Sequence, residues 1–108
     1  MKRMSVREFG SEYSNGYKYT FELDNQTDDY RFRCQYITED RRIFDRILIA
    51  LNPDCVKFID GTGSCLTIDG VDCIDIRKKK GDMDFYFDVV CDIPHLGKSV
   101  LTFLASKK

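Results

Sequence analysis

The chain has one histidine, two prolines, no Cys-x-x-Cys pair, and no apolar run near the roughly 18 residues of a membrane span. Each shortage removes a class of chemistry. One imidazole and dispersed thiols do not make the four-ligand set of a zinc site. The single histidine, His95, falls in the turn segment Ile93-Pro94-His95-Leu96-Gly97 and reads as a surface turn residue. Its nearest thiol, Cys91, falls on an inner strand face by alternation, whereas a reactive cysteine needs exposure and a partner that stabilises its thiolate. The opening MKRMSVREFG carries basic residues but no apolar signal core, so a cytoplasmic protein without membrane association is expected. The cysteine count agrees: Cys34, Cys55, Cys65, Cys73 and Cys91 are odd in number and sit mostly in apolar strand patterns, as reduced, buried small hydrophobes do. With few prolines and no repeat, linker or low-complexity tract, residues 1–108 read as one domain. Residues 1–16 form a polar N-terminal arm, ordered only if Val6, Phe9 and Tyr13 dock. A formal net charge of −1 lacks the basic excess of a dedicated duplex binder.

What is present is strand periodicity. The hydrophobic fraction of 43% and aromatic fraction of 13% are those of a folded chain. Tyr17, Tyr19, Phe21 and Leu23 alternate with polar residues, and Tyr30, Phe32, Cys34 and Tyr36 do the same after a polar turn, which predicts an antiparallel hairpin. Further strands are expected at Cys55–Ile59, at Cys65–Ile68, and at Val71–Arg77, the last two joined by Asp69-Gly70 as a two-residue hairpin. Phe85–Ile93 is expected as the longest strand and the sheet centre. Val100–Ala105 reads as a closing strand, with a helix capped by Ser99 as the alternative. Between the two halves, Thr38–Pro53 carries helix signals: Thr38 as N-cap, Glu39 and Asp40 in the first turn, and Asn52-Pro53 as a stop. At helical spacing, Ile43, Phe44, Ile47, Leu48, Ala50 and Leu51 share an arc of roughly 160°. The predicted class is α+β: an antiparallel sheet or open barrel of about seven strands, in the order β-β-α-β-β-β-β-β, with one helix across it.

Several motifs fail on spacing. The loop from Asp60 has calcium-like oxygens at Thr62 and Ser64, but Cys65 and Val71 stand where glycine and an acid are required. Gly61 and Gly63 begin a phosphate-loop pattern that Leu66 breaks. Asp60–Ser64 therefore reads as a turn. Asp84, Asp88 and Asp92 lie about 13 Å apart at 3.3 Å per residue, too far for a glycosidase-type pair, and suit ion pairing with the Arg77–Lys80 run. No cofactor or metal is expected.

Without a catalytic constellation, the chain reads as a small non-enzymatic protein-binding module of inhibitor, immunity or phage and mobile-element accessory type. The alternative is a nucleic-acid-associated protein using outward arginines and the Arg77–Lys80 cluster. The expected contact surface is the outer face of the predicted helix, where Ile49 stands among Arg42, Asp45 and Arg46, extended by Arg31 and Arg33 from the preceding strand. The expected partner is another protein, and an exposed sheet edge offers a route to a homo-oligomer.

Overall fold

The computed structural model describes residues 2–22, 43–49, 54–78, 83–93 and 97–108. In chain order these form β1 (Lys2–Met4), α1 (Val6–Tyr13), β2 (Tyr17–Glu22), β3 (Ile43–Phe44), β4 (Arg46–Ile49), β5 (Val56–Ile59), β6 (Cys65–Ile68), β7 (Val71–Lys78), β8 (Phe85–Ile93) and β9 (Gly97–Lys107). All strand pairs are antiparallel. One sheet has six strands in the order β1-β7-β8-β9-β2-β3, and a second has three in the order β4-β5-β6. The α+β class holds, with one helix packed against an open antiparallel sheet.

The helix stands elsewhere than the sequence signals place it. Residues 43–49 are strand, not helix, interrupted by a bend at Asp45 where the chain leaves one sheet for the other. The bend explains the misleading period. Phe44 and Ile47 are both buried, three residues apart, because Asp45 inserts one residue between two runs of strict alternation. A sheet change thereby imitates the i, i+3 spacing of a helix. The β-branched and aromatic residues of this run favour the extended state. The remainder of the predicted helix, 38–42 and 50–53, lies outside the described residues.

The helix forms instead at Val6–Tyr13, within the segment expected as an arm. Ser5 accepts a hydrogen bond from the Glu8 amide at 3.1 Å, and the Glu8 carboxylate accepts one from the Ser5 amide at 3.1 Å, a reciprocal capping box. Val6, Phe9, Gly10 and Tyr13 recur at helical spacing; the first three are buried, and Tyr13 packs partly buried against the core. The helix ends with the Tyr13 carbonyl accepting the Tyr19 hydroxyl.

A second expectation also changes. β6 and β7 do not form a hairpin: β6 pairs with β5 in the smaller sheet, while β7 pairs with β1 and β8 in the larger. Asp69-Gly70 is the crossing point. Gly70 has φ +68°, and a Cβ there would stand 3.0 Å from the Asp92 carbonyl oxygen. Glycine is needed for close backbone approach as well as for its dihedral, since Asp92 N–H donates to the Gly70 carbonyl at 3.0 Å. Val100–Ala105 lies within β9, so the closing segment is strand; at eleven residues β9 exceeds the nine of β8. Both are central in the larger sheet. β2 forms as expected, with β9 and β3 as its described neighbours; its expected partner, Tyr30–Tyr36, lies outside the described residues.

Aromatic side chains join the layers. Phe103 on β9 stands opposite Phe21 on β2 and Phe87 on β8. Phe58 from β5 stacks on Phe103 with centroids 4.3 Å apart and planes 11° from parallel. Phe9 of α1 lies 4.7 Å from Phe87. The helix and the smaller sheet thus share the cover of one face of the larger sheet. Full burial of each phenylalanine contributes about 1.5–3 kcal/mol.

Candidate interaction surface

The helical arc that gathered Arg42, Asp45, Arg46 and Ile49 does not exist, because residues 43–49 are extended. Arg31, Arg33 and Arg42 lie outside the described residues, as does the side chain of Ile49, whose backbone pairs with Val56. Asp45 sits half-buried at the bend, its amide donating to the Ile59 carbonyl at 2.8 Å. Its carboxylate closes over the turn, 3.0 Å from where a Cβ on Gly61 would stand. Arg46 opens β4, exposed and without an acidic partner among the described residues.

The ribbon Ile43–Ile49 has a different character from the one the sequence suggests. Ile43 and Leu48, expected on a buried helix face, are 54% and 48% exposed. With Met83 they are the exposed large hydrophobic side chains of the described chain. Among the described residues β3 ends one sheet and β4 ends the other, so the ribbon contains a described edge of both. Edges carry unpaired backbone donors and acceptors that can accept a further strand. From Ile43 to Leu48 the extended chain spans up to about 16 Å at 3.3 Å per residue, within the footprint of a short partner strand. Within that span Arg46 supplies a cation between two apolar side chains. The signal for this surface was present in the sequence as a dense run of Ile, Phe and Leu, but helical periodicity assigned it inward.

The other face of the larger sheet carries a polar row. Asp75 on β7 stands directly opposite Asp88 on β8, an arrangement that repels unless each carboxylate has its own cation. Each does. Arg3 on β1 grips Asp75 with Nε at 2.9 Å and Nη2 at 3.1 Å, and Arg77 donates to Asp88 at 2.9 Å. Asp88 also accepts from the Thr102 hydroxyl at 2.8 Å, and the Arg77 guanidinium lies 5.9 Å from the Tyr86 ring centroid. The hydrogen bonds from Arg3 hold the Asp75 carboxyl below the usual carboxylate range. The expected pairing of Arg77 with the aspartate row is therefore present. The Arg77 side chain is paired with Asp88 at the exposed surface of this face. The Lys78 side chain and residues 79–80 lie outside the described residues. Asp84 accepts the Lys107 amide at 3.2 Å.

The thiols follow their burial. Cys91 is fully buried, and desolvation pushes its pKa up to about 12. Burial likewise raises Cys55 and Cys73. Cys65 is exposed on β6, with its thiol 3.5 Å from the Gly63 carbonyl. Cys34 and His95 lie outside the described residues, so the Cys91–His95 pairing is placed only on its cysteine side. The Asp60–Ser64 segment is a turn: one Asp60 oxygen accepts from Thr62 N at 2.9 Å, Thr62 Oγ1 at 2.6 Å and Ser64 N at 3.0 Å. Among the described residues no group of His, Cys, Asp and Glu is arranged to hold a metal, and no helix is long and apolar enough to cross a membrane.

No family model, curated protein or solved structure matches the chain.

Proposed function

We propose that the chain is a non-enzymatic protein-binding module that meets its partner along the Ile43–Ile49 ribbon. The observation that carries this reading is the placement of two exposed large hydrophobics, Ile43 and Leu48, with the exposed Arg46 between them, on strands that end their sheets among the described residues. Apolar side chains and arginine are favoured at binding surfaces, and exposed edges are normally blunted when they are not used. The partner supplies an extended segment with apolar residues flanking a carboxylate: the strand pairs with the edge, the apolar residues cover Ile43 and Leu48, and the carboxylate meets Arg46.

Affinity purification from the native host tests this with two folded variants. An Ile43→Asp, Leu48→Asp double substitution removes the ribbon's apolar contacts, while Met83→Asp changes an exposed hydrophobic elsewhere. The proposal expects a partner retained by wild type and Met83→Asp and lost by the double variant. Retention of every partner by a folded double variant refutes it. A second copy of the chain as occupant would appear as a concentration-dependent dimer abolished by the same substitutions.

A further inference from the structure

The corner between α1 and β2 carries a second, independent feature. Asn15 is followed by Gly16, and both are exposed. Of the chain's three asparagines, Asn25 precedes Gln26 and Asn52 precedes Pro53, which has no backbone N–H. Gly16 adopts φ +87°, and no atom lies within 4 Å of where its Cβ would be, so the corner is open. Its carbonyl accepts the Lys108 amide at 2.9 Å, but its own N–H makes no hydrogen bond among the described residues. The helix carbonyl of Tyr13, which could have accepted an amide from this turn, is occupied by the Tyr19 hydroxyl. A glycine amide unengaged among the described residues therefore adjoins an exposed side-chain amide.

We propose that Asn15 is a site of spontaneous modification, through a cyclic imide, to aspartate and isoaspartate. Gly16 N, on losing its proton to hydroxide, attacks Asn15 Cγ. The new N–Cγ bond closes a five-membered ring, and the Cγ–Nδ2 bond breaks with departure of ammonia. Water then opens the imide at either carbonyl. One opening gives aspartate; the other gives isoaspartate, with the main chain running through Cβ and Cγ. Oxidation states do not change, and water is the only co-reactant. Both products place a new carboxylate just beyond the C-terminus of α1, where the helix dipole disfavours negative charge. The isoaspartyl form also lengthens the main chain at a corner fixed on both sides, by Tyr19 on Tyr13 and by Lys108 on Gly16. The modification thereby loosens the seat of α1 on the core.

The Asp-Gly pairs do not share the combination. Asp60 has one carboxylate oxygen held by three hydrogen bonds, and Gly70 is packed against the Asp92 backbone. A carboxylate is also a poorer electrophile than an amide.

The test incubates the folded full chain in mildly alkaline buffer beside a free peptide spanning Ser14–Tyr17, and follows both by intact mass, peptide mapping and isoaspartate methyltransferase labelling. Expected is a gain of about one mass unit confined to the Asn15 peptide, with methyl-accepting product, at a rate of the same order as in the free peptide. Asn15→Gln, whose longer side chain would need a six-membered ring, should stay unmodified. A folded chain that remains unchanged while the peptide reacts overturns the proposal, as does label that appears at Asp60 or Asp69 instead.

Discussion

Phe58 is the ring that stacks from the smaller sheet onto Phe103 of the larger one, so Phe58→Ala probes that contact. The ring is fully buried, with centroids of Phe103 at 4.3 Å, Phe44 at 5.4 Å and Tyr19 at 6.1 Å. Truncating a buried phenylalanine costs about 3–5 kcal/mol, the transfer term plus the cavity left behind. The upper half of that range applies here, because Phe58 is enclosed by residues of both sheets and neither can collapse onto the void without breaking its own register. Against a total stability of about 5–15 kcal/mol this is a large fraction. With a urea slope of about 1–3 kcal/mol per molar, the unfolding midpoint should fall by roughly 2 M. Phe58→Leu keeps most of the apolar volume and loses the stack, so its midpoint should fall between the two, given about 0.5–1.5 kcal/mol for an aromatic pair. Equilibrium urea unfolding followed by circular dichroism measures both. A Phe58→Ala midpoint within about 0.5 M of wild type, at unchanged slope, would mean that the sheets are not joined through this ring.

The Gly70 crossing makes a paired prediction. Gly70→Ala combines a left-handed φ with a 3.0 Å contact to the Asp92 carbonyl and should cost about 2–3 kcal/mol, whereas Gly63→Ala, with φ +87° and open space, should cost about 1 kcal/mol by thermal unfolding. The Asp75 carboxyl, lowered by its bond to Arg3, contributes stability that is present above its unfolded pKa of about 3.9 and is lost as pH falls through its lower folded value. Arg3→Ala should therefore lower stability near neutrality and flatten its fall in the acid range; identical acid profiles for variant and wild type would contradict the pair's role. Among the described cysteines, Cys65 should react first with an aromatic disulfide reagent and Cys91 last, read by mapping labelled peptides; early labelling of Cys91 would contradict its burial.

Strand content was the most legible part of the chain, because alternation survives wherever one face of a sheet is buried. Tyr17–Glu22, Phe85–Ile93 and the closing strand follow from that pattern. Two kinds of residue misled. The run Ile-Phe-Asp-Arg-Ile-Leu-Ile carries strand propensity, but the sheet change at Asp45 breaks its period, and the resulting spacing of Phe44 and Ile47 coincides with a helix turn. Asp69-Gly70 has hairpin chemistry, yet its glycine serves a crossing between sheets and a contact with Asp92, both set by residues distant in sequence. The true helix was readable locally. Ser5-x-x-Glu8 is a capping box, and Val6, Phe9, Gly10 and Tyr13 follow at helical spacing; a polar composition and a length of only eight residues masked them. The exposed ribbon could be read only in part, since which strands become edges depends on the pairing of the whole chain.

The surface assigned to that ribbon is tested most directly by placing a photo-crosslinking side chain at position 48 or, separately, at position 83 in the protein as expressed in its native host. Both side chains are exposed, at 48% and 56%, but only Leu48 belongs to the ribbon. A covalent adduct to a discrete second protein from position 48 and none from position 83 is the predicted result. Adducts of equal yield from the two positions, or from 83 alone, would contradict it.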